Sequence, residues 1–186
     1  MKANRQSFSS LGFPVLIAAG VFLAPCFGQV GKEKKAAPTV LFVCEHGAAK
    51  SVIAAAYFDK LAKERGLPHR AVFRGVNPDA ALNPVAKKGL EQDGLDTSGW
   101  KPILITQKDI DGASRIVTLG CLLPAGMNAA RKVTDWEDIS SPSQNYQLAR
   151  DQIKKRVRQL VDDLAKAEGG RKHEALRSSS LGFGER

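Results

Sequence analysis

Cys44, Lys50 and Ser51 carry chemistry that their neighbours are arranged to expose. Val40, Leu41, Phe42 and Val43 form an apolar, largely β-branched or aromatic run that predicts a strand and ends abruptly at the thiol. Gly47 marks a short loop, and Ser51 introduces the apolar run Val52 to Phe58, which predicts a helix. A thiol at a helix mouth meets inward-pointing N–H groups and partial positive charge, which favour a bound oxyanion and the thiolate form of the sulfur. Lys50 adds a full positive charge six residues beyond Cys44. The plainer reading of Cys44 is a buried structural cysteine, the common fate of a free thiol. Such a residue needs neither a glycine-containing loop nor a following cation. Ser51 is open to two readings, as a donor to the thiolate and as a hydroxyl at the helix N-terminus.

The stretch resembles the phosphate loop of the low-molecular-weight protein tyrosine phosphatases and of the arsenate reductases that share their fold. Their signature is a cysteine, five residues, an arginine, and a serine or threonine. Here Glu45 to Ala49 are the five, Ser51 holds the hydroxyl position, and Lys50 stands where the arginine would be. Lysine is a point charge on a flexible stem, whereas arginine is a planar fork that grips two oxygens. The glycine and asparagine that commonly follow the cysteine are replaced around His46 and Gly47. The resemblance implies a Cys44 nucleophile acting on phosphate, a phosphomonoester or arsenate. Oxyanion contacts would come from Glu45, His46, Gly47, Ala48, Ala49 and Lys50, and no cofactor is implied.

The family's proton donor is an aspartate followed by proline, on the loop after the fourth strand. That loop reads Asp135, Trp136, Glu137, Asp138, Ile139, Ser140, Ser141, Pro142, and Trp136 resembles the tryptophan that precedes the acid in the reductases. The residue before the proline is Ser141, which is no proton donor near neutral pH. Asp138 is the expected substitute. Cys121 has three readings: a buried strand-end residue, a resolving thiol for a Cys44 adduct that an external thiol reductant would regenerate, and a structural disulfide partner. No further cysteine follows it, unlike in the thioredoxin-coupled reductases. His46 with the two cysteines lacks the second close pair that a metal site needs, so no metal is expected.

The elements that must position these groups alternate between strand and helix. A first helix is predicted from about Ser51 to Arg65, a second strand at Ala71 to Arg74, and a helix from the cap Asn83 and Pro84 to Gln92, stopped at Gly94. Thr106 to Asp109 resembles a capping box on a short helix. Ser114 to Cys121 predicts a buried third strand, and Arg131 to Trp136 an edge strand. Tyr146, Ala149, Ile153, Val157, Leu160 and Leu164 recur at helical spacing in the last helix. The alternation implies an α/β fold with three layers, a four-stranded parallel sheet flanked by helices. The resemblance supplies the strand order 2-1-3-4, and it covers about Thr39 to Ala165. In such sheets ligands bind beyond the carboxyl ends of the strands.

Composition sets the wider frame. The 186 residues, 43% hydrophobic and 25% charged, suffice for one domain with its own core. Lys2 and Arg5 precede an apolar stretch from Leu11 to Ala24 that is interrupted by Pro14 and shorter than the roughly 20 residues of a membrane span. Residues 1–28 are thus read as an export signal, which places the mature chain in the periplasm or outside the cell. Contact with a membrane is expected only if the segment is retained or lipidated at Cys26. Residues 29–38 are read as a Lys-rich linker, 39–168 as the domain, and 169–186 as a disordered tail. The net charge falls from +9 to +7 once Lys2 and Arg5 leave with the signal, which holds no acidic residue. The remaining basic surface suits oxyanions. With 6% aromatic residues and no alternation of aromatic and basic side chains, it offers no stacking platform for nucleic acid. A non-catalytic oxyanion-binding or interaction module is the alternative to an enzyme.

Overall fold

The computed structural model describes residues 36–129 and 133–181, so residues 1–35, with the export signal and most of the linker, lie outside the described residues, as do Arg131 and Lys132. Four strands, β1 (Thr39–Cys44), β2 (Arg70–Gly75), β3 (Ala113–Thr118) and β4 (Val133–Asp135), form one parallel sheet in the order β2-β1-β3-β4. The helices are α1 (Lys50–Glu64), α2 (Pro84–Gln92), α3 (Gln107–Gly112) and α4 (Tyr146–Leu181). Among the described residues no helix is long and apolar enough to cross a membrane.

The period-two geometry of β1 divides its side chains between two layers. Val40, Phe42 and Cys44 join the core built by α1, α2 and α4, whereas Leu41 and Val43 pack with Ile105, Ile110 and Ile116 on the opposite face. Helix α1 is buried almost all round, from Ser51 through Phe58, because it lies between the sheet and α4. The Asn83 carboxamide accepts from the N–H groups of Val85 (3.0 Å) and Ala86 (3.1 Å), and Pro84 occupies the first turn. Thr106 and Asp109 complete a capping box on α3.

A carboxylate ties three helices together. Asp93, just past α2, accepts hydrogen bonds from the Tyr57 hydroxyl of α1 and the Tyr146 hydroxyl of α4, both at 2.7 Å, and from Arg150 of α4 at 3.2 Å. Burial opposes ionisation there, yet the two hydroxyls and the guanidinium outweigh it and hold the carboxyl below its usual range. Burial, with the bond to Asp93, pushes both tyrosines well above theirs.

Two features differ from expectation. The pattern predicts that the last helix ends at Glu168 and a disordered tail follows, but α4 continues to Leu181. Gly169 and Gly170 cost about 1 kcal/mol each in a helix relative to Ala, and the Arg171–Glu168 ion pair spans them. Beside β2, Leu104 also makes an isolated parallel bridge to Gly75, which no alternating pattern announces.

Candidate functional site

At the carboxyl end of β1 the chain turns through residues 45–49 and enters α1 without a side-chain cap, Ala49 standing in the N-cap position. The carbonyls of this loop are held outward by the segment after β2. Val76 N–H donates to Cys44 O (3.1 Å), Asn77 to Glu45 (2.7 Å), Asp79 to His46 (3.1 Å) and Asn83 to Ala48 (2.9 Å). Among the described residues none of the N–H groups of residues 45–50 donates to a backbone carbonyl. A concave row of donors is therefore left for a ligand, as oxyanion sites require.

Gly47 makes the turn possible. Its φ is +59°, and a Cβ there would stand 2.7 Å from Gly75 N; a Cβ on Gly75 would stand 2.8 Å from Gly47 N. Two glycines let two backbones touch.

At the base of the loop the Cys44 sulfur and the Ser51 hydroxyl share a hydrogen bond of 3.1 Å, and both residues are buried. Ser51 therefore faces the sulfur rather than capping its helix. Lys50 lines the cleft with its ammonium 3.7 Å from where a Cβ on Gly120 would sit. The turn after β3 is fixed in turn by Asp135, which accepts from the Thr118 hydroxyl at 2.7 Å and the Gly120 N–H at 3.2 Å.

The cleft over the loop has a volume of about 200 Å³. Cys44, Glu45, His46, Ala48, Ala49 and Lys50 form one wall, and the segment after β4 faces them with Ser141, Pro142 and Ser143. Asp138 is not brought into it. Its carboxylate is exposed and paired with Arg156 of α4, while Ser141, three residues on, lines the cleft. The Glu45 carboxylate is also turned aside, accepting from the Asn77 carboxamide at 2.6 Å.

Asp79 and Asn83, from the segment after β2, complete the cleft, a placement that no local sequence pattern marks. The Asn83 carboxamide donates to the Ser143 hydroxyl at 3.0 Å, lacing two walls together. Its cap signature was legible; its place in the cleft was not.

Cys121 lies outside this cleft, half-buried against the opposite layer of the sheet, with its thiol directed to Val43 O at 3.6 Å. Burial, and then the charge of Cys44, push that thiol up to about 11. Neither cysteine is in a disulfide. Among the described residues no group of three or more His, Cys, Asp or Glu is placed to hold a metal ion.

Solved structures share this architecture. The chain superposes on a thioredoxin-dependent arsenate reductase of Corynebacterium glutamicum with a TM-score of 0.62 and 26% identity, covering 74% of this chain and 66% of that one. An arsenate reductase of Archaeoglobus fulgidus matches with a TM-score of 0.56 and 30% identity over 66% of this chain and 98% of its own. A low molecular weight protein tyrosine phosphatase of Bacillus subtilis, 21% identical over 69% of this chain and 97% of its own, shares the fold with a TM-score of 0.60. The family model for low molecular weight phosphotyrosine protein phosphatase matches residues 39–169, nearly the whole described domain and the loop at its centre. The chain belongs to that family.

Proposed function

We propose that the Cys44 thiolate attacks a tetrahedral oxyanion and that the reaction is hydrolysis of a phosphate monoester through a phosphocysteine. The observation that carries this reading is the Cys44–Ser51 contact at the floor of a loop whose carbonyls at Cys44, Glu45, His46 and Ala48 are engaged by the segment after β2. The serine hydroxyl donates to the thiolate, the loop N–H groups receive the equatorial oxygens, and Lys50 supplies charge. Cys44→Ser should lower phosphomonoester turnover by at least about a thousandfold, as removal of a nucleophile does. Equal rates in the two forms would instead assign the chain to the oxyanion-binding modules.

Arsenate reduction is the second reading, favoured by the Cys121 thiol standing 3.6 Å from the carbonyl of Val43, the residue before Cys44. Cys44 would displace hydroxide from arsenate. Cys121 would then attack the Cys44 sulfur, the S–As electron pair would reduce arsenic to arsenite, and an external dithiol would reduce the resulting disulfide. A thiol held up to about 11 is mostly protonated at neutral pH, which slows that attack. Arsenate-dependent oxidation of a supplied dithiol, measured with and without Cys121→Ser, tests it.

A further inference from the structure

Resting on the phosphatase reading, we infer that His46, oriented by Asp79, carries the proton to and from the reacting oxygen. The leaving oxygen of an ester needs a proton, and the wall formed by Ser141, Pro142 and Ser143 has no group to give one. The nearby acids are engaged elsewhere. Asp138 pairs with Arg156, Asp135 holds Thr118 and Gly120, and Glu45 accepts from Asn77.

His46 lines the cleft two residues from the nucleophile. Its Nδ1 faces Asp79 Oδ1 at 3.3 Å, and Asp79 is itself fixed by donating its N–H to His46 O. A carboxylate beside Nδ1 orients the ring and leaves Nε2 free to exchange with substrate; among the described residues Nε2 has no other partner. The side chains are 64% and 50% exposed, so substrate reaches the ring and solvent moderates the pairing.

The steps balance. As Cys44 sulfur bonds to phosphorus and the P–O bond to the leaving group breaks, Nε2–H of the imidazolium passes its proton to that oxygen. Water then attacks the phosphocysteine and gives a proton to Nε2, the P–S bond breaks, and phosphate leaves with the thiolate restored. Asp79 is a positioning residue. Glu45 of the loop, Cys44 at the end of β1 and Lys50 at the start of α1 are the other charged or titratable groups lining the cleft.

The test compares two esters in kcat/KM, which reports P–O cleavage. Phenyl phosphate has a poor leaving group that needs protonation, and 2,4-dinitrophenyl phosphate has one that does not. His46→Asn should lower kcat/KM for phenyl phosphate by about a hundredfold or more and for the dinitrophenyl ester by less than about threefold. Asp79→Asn should cause a smaller fall for phenyl phosphate and again less than about threefold for the dinitrophenyl ester, a selectivity between leaving groups that a purely structural contact would not produce. Equal falls for both esters, or none, overturn the inference while leaving the nucleophile in place. If the unaltered protein shows no Cys44-dependent turnover of the dinitrophenyl ester, the phosphatase reading fails and the inference with it.

Discussion

Two polar clusters flank α1 and treat their hydrogen-bonding capacity in opposite ways. Around Asp93 every group faces a partner: two tyrosine hydroxyls and a guanidinium converge on one carboxylate, and the Lys154 ammonium stands 5.0 Å over the Tyr57 ring. Around Cys44 the carbonyls of Cys44, Glu45, His46, Ala48 and Ala49 each accept a backbone bond, while the donors of residues 45–50 make none among the described residues. A complete set of bonds fixes helices. An incomplete one, held open by rigid neighbours, is available to a ligand.

The most damaging way to erase this difference is to close the open cluster. In Gly47→Ala the new methyl would meet the Gly75 backbone at 2.7 Å from N and 2.9 Å from Cα, at a φ of +59°. Neither contact is with a flexible side chain, so the loop must move. Phosphate affinity should fall by at least about a hundredfold, and stability by about 2 to 4 kcal/mol, as read by phosphate titration and denaturant midpoint. A neutral result would show that the open donors do not depend on the loop's shape.

Lys50 probes the same cluster by charge. Lys50→Ala should weaken phosphate binding by roughly tenfold to a hundredfold, the worth of about 1.5 to 3 kcal/mol for a charge-assisted contact. Lys50→Arg should raise turnover of a phosphomonoester by restoring a two-pronged grip, with Gly120 leaving space beside the head group. Unchanged phosphate affinity in Lys50→Ala would remove its oxyanion role.

The closed cluster should answer to acid and base, with little effect on the cleft. Asp93 has a folded carboxyl below its unfolded value of about 3.9, so its contribution is full above that pH and is lost as pH falls through the depressed folded value. Tyr57 and Tyr146 are raised, so theirs is full below about 10 and is lost as pH rises through their folded values. Asp93→Asn should flatten the acid limb of stability and cost about 1 to 3 kcal/mol by thermal or urea unfolding. Phosphate affinity should stay within about twofold, since the sites share no partner. A large loss of affinity would mean that the two clusters are coupled through α1.

Local signals made most of the fold legible. Alternation in β1, the Asn83–Pro84 cap and the Thr106–Asp109 box act over a few residues, and each forms where its pattern places it. The strand order came from the resemblance, since pairing depends on contacts that no window of sequence contains. The Cys44–Ser51 bond was legible because strand, loop and helix join them over seven residues. The pairing of His46 with Asp79 was not, because it forms only when the segment after β2 folds over the loop. Nor was the pairing of Asp138 legible: a carboxylate near the end of a strand looks unpaired until a distant Arg156 is placed beside it.

The mutual contact of Gly47 and Gly75 also bears on the order of events in folding. The loop takes its shape by lying on the last residue of β2, and its carbonyls are fixed by residues 76–83, so no anion site exists until β2 has docked on β1. An oxyanion should therefore recognise the assembled sheet and ignore the unfolded chain. By mass action, a ligand at a hundred times its dissociation constant would then deepen the native basin by about 2.7 kcal/mol. The pocket is thus a sensor of its own scaffold, and ligand occupancy holds closed the β1–β2 seam on which it was built.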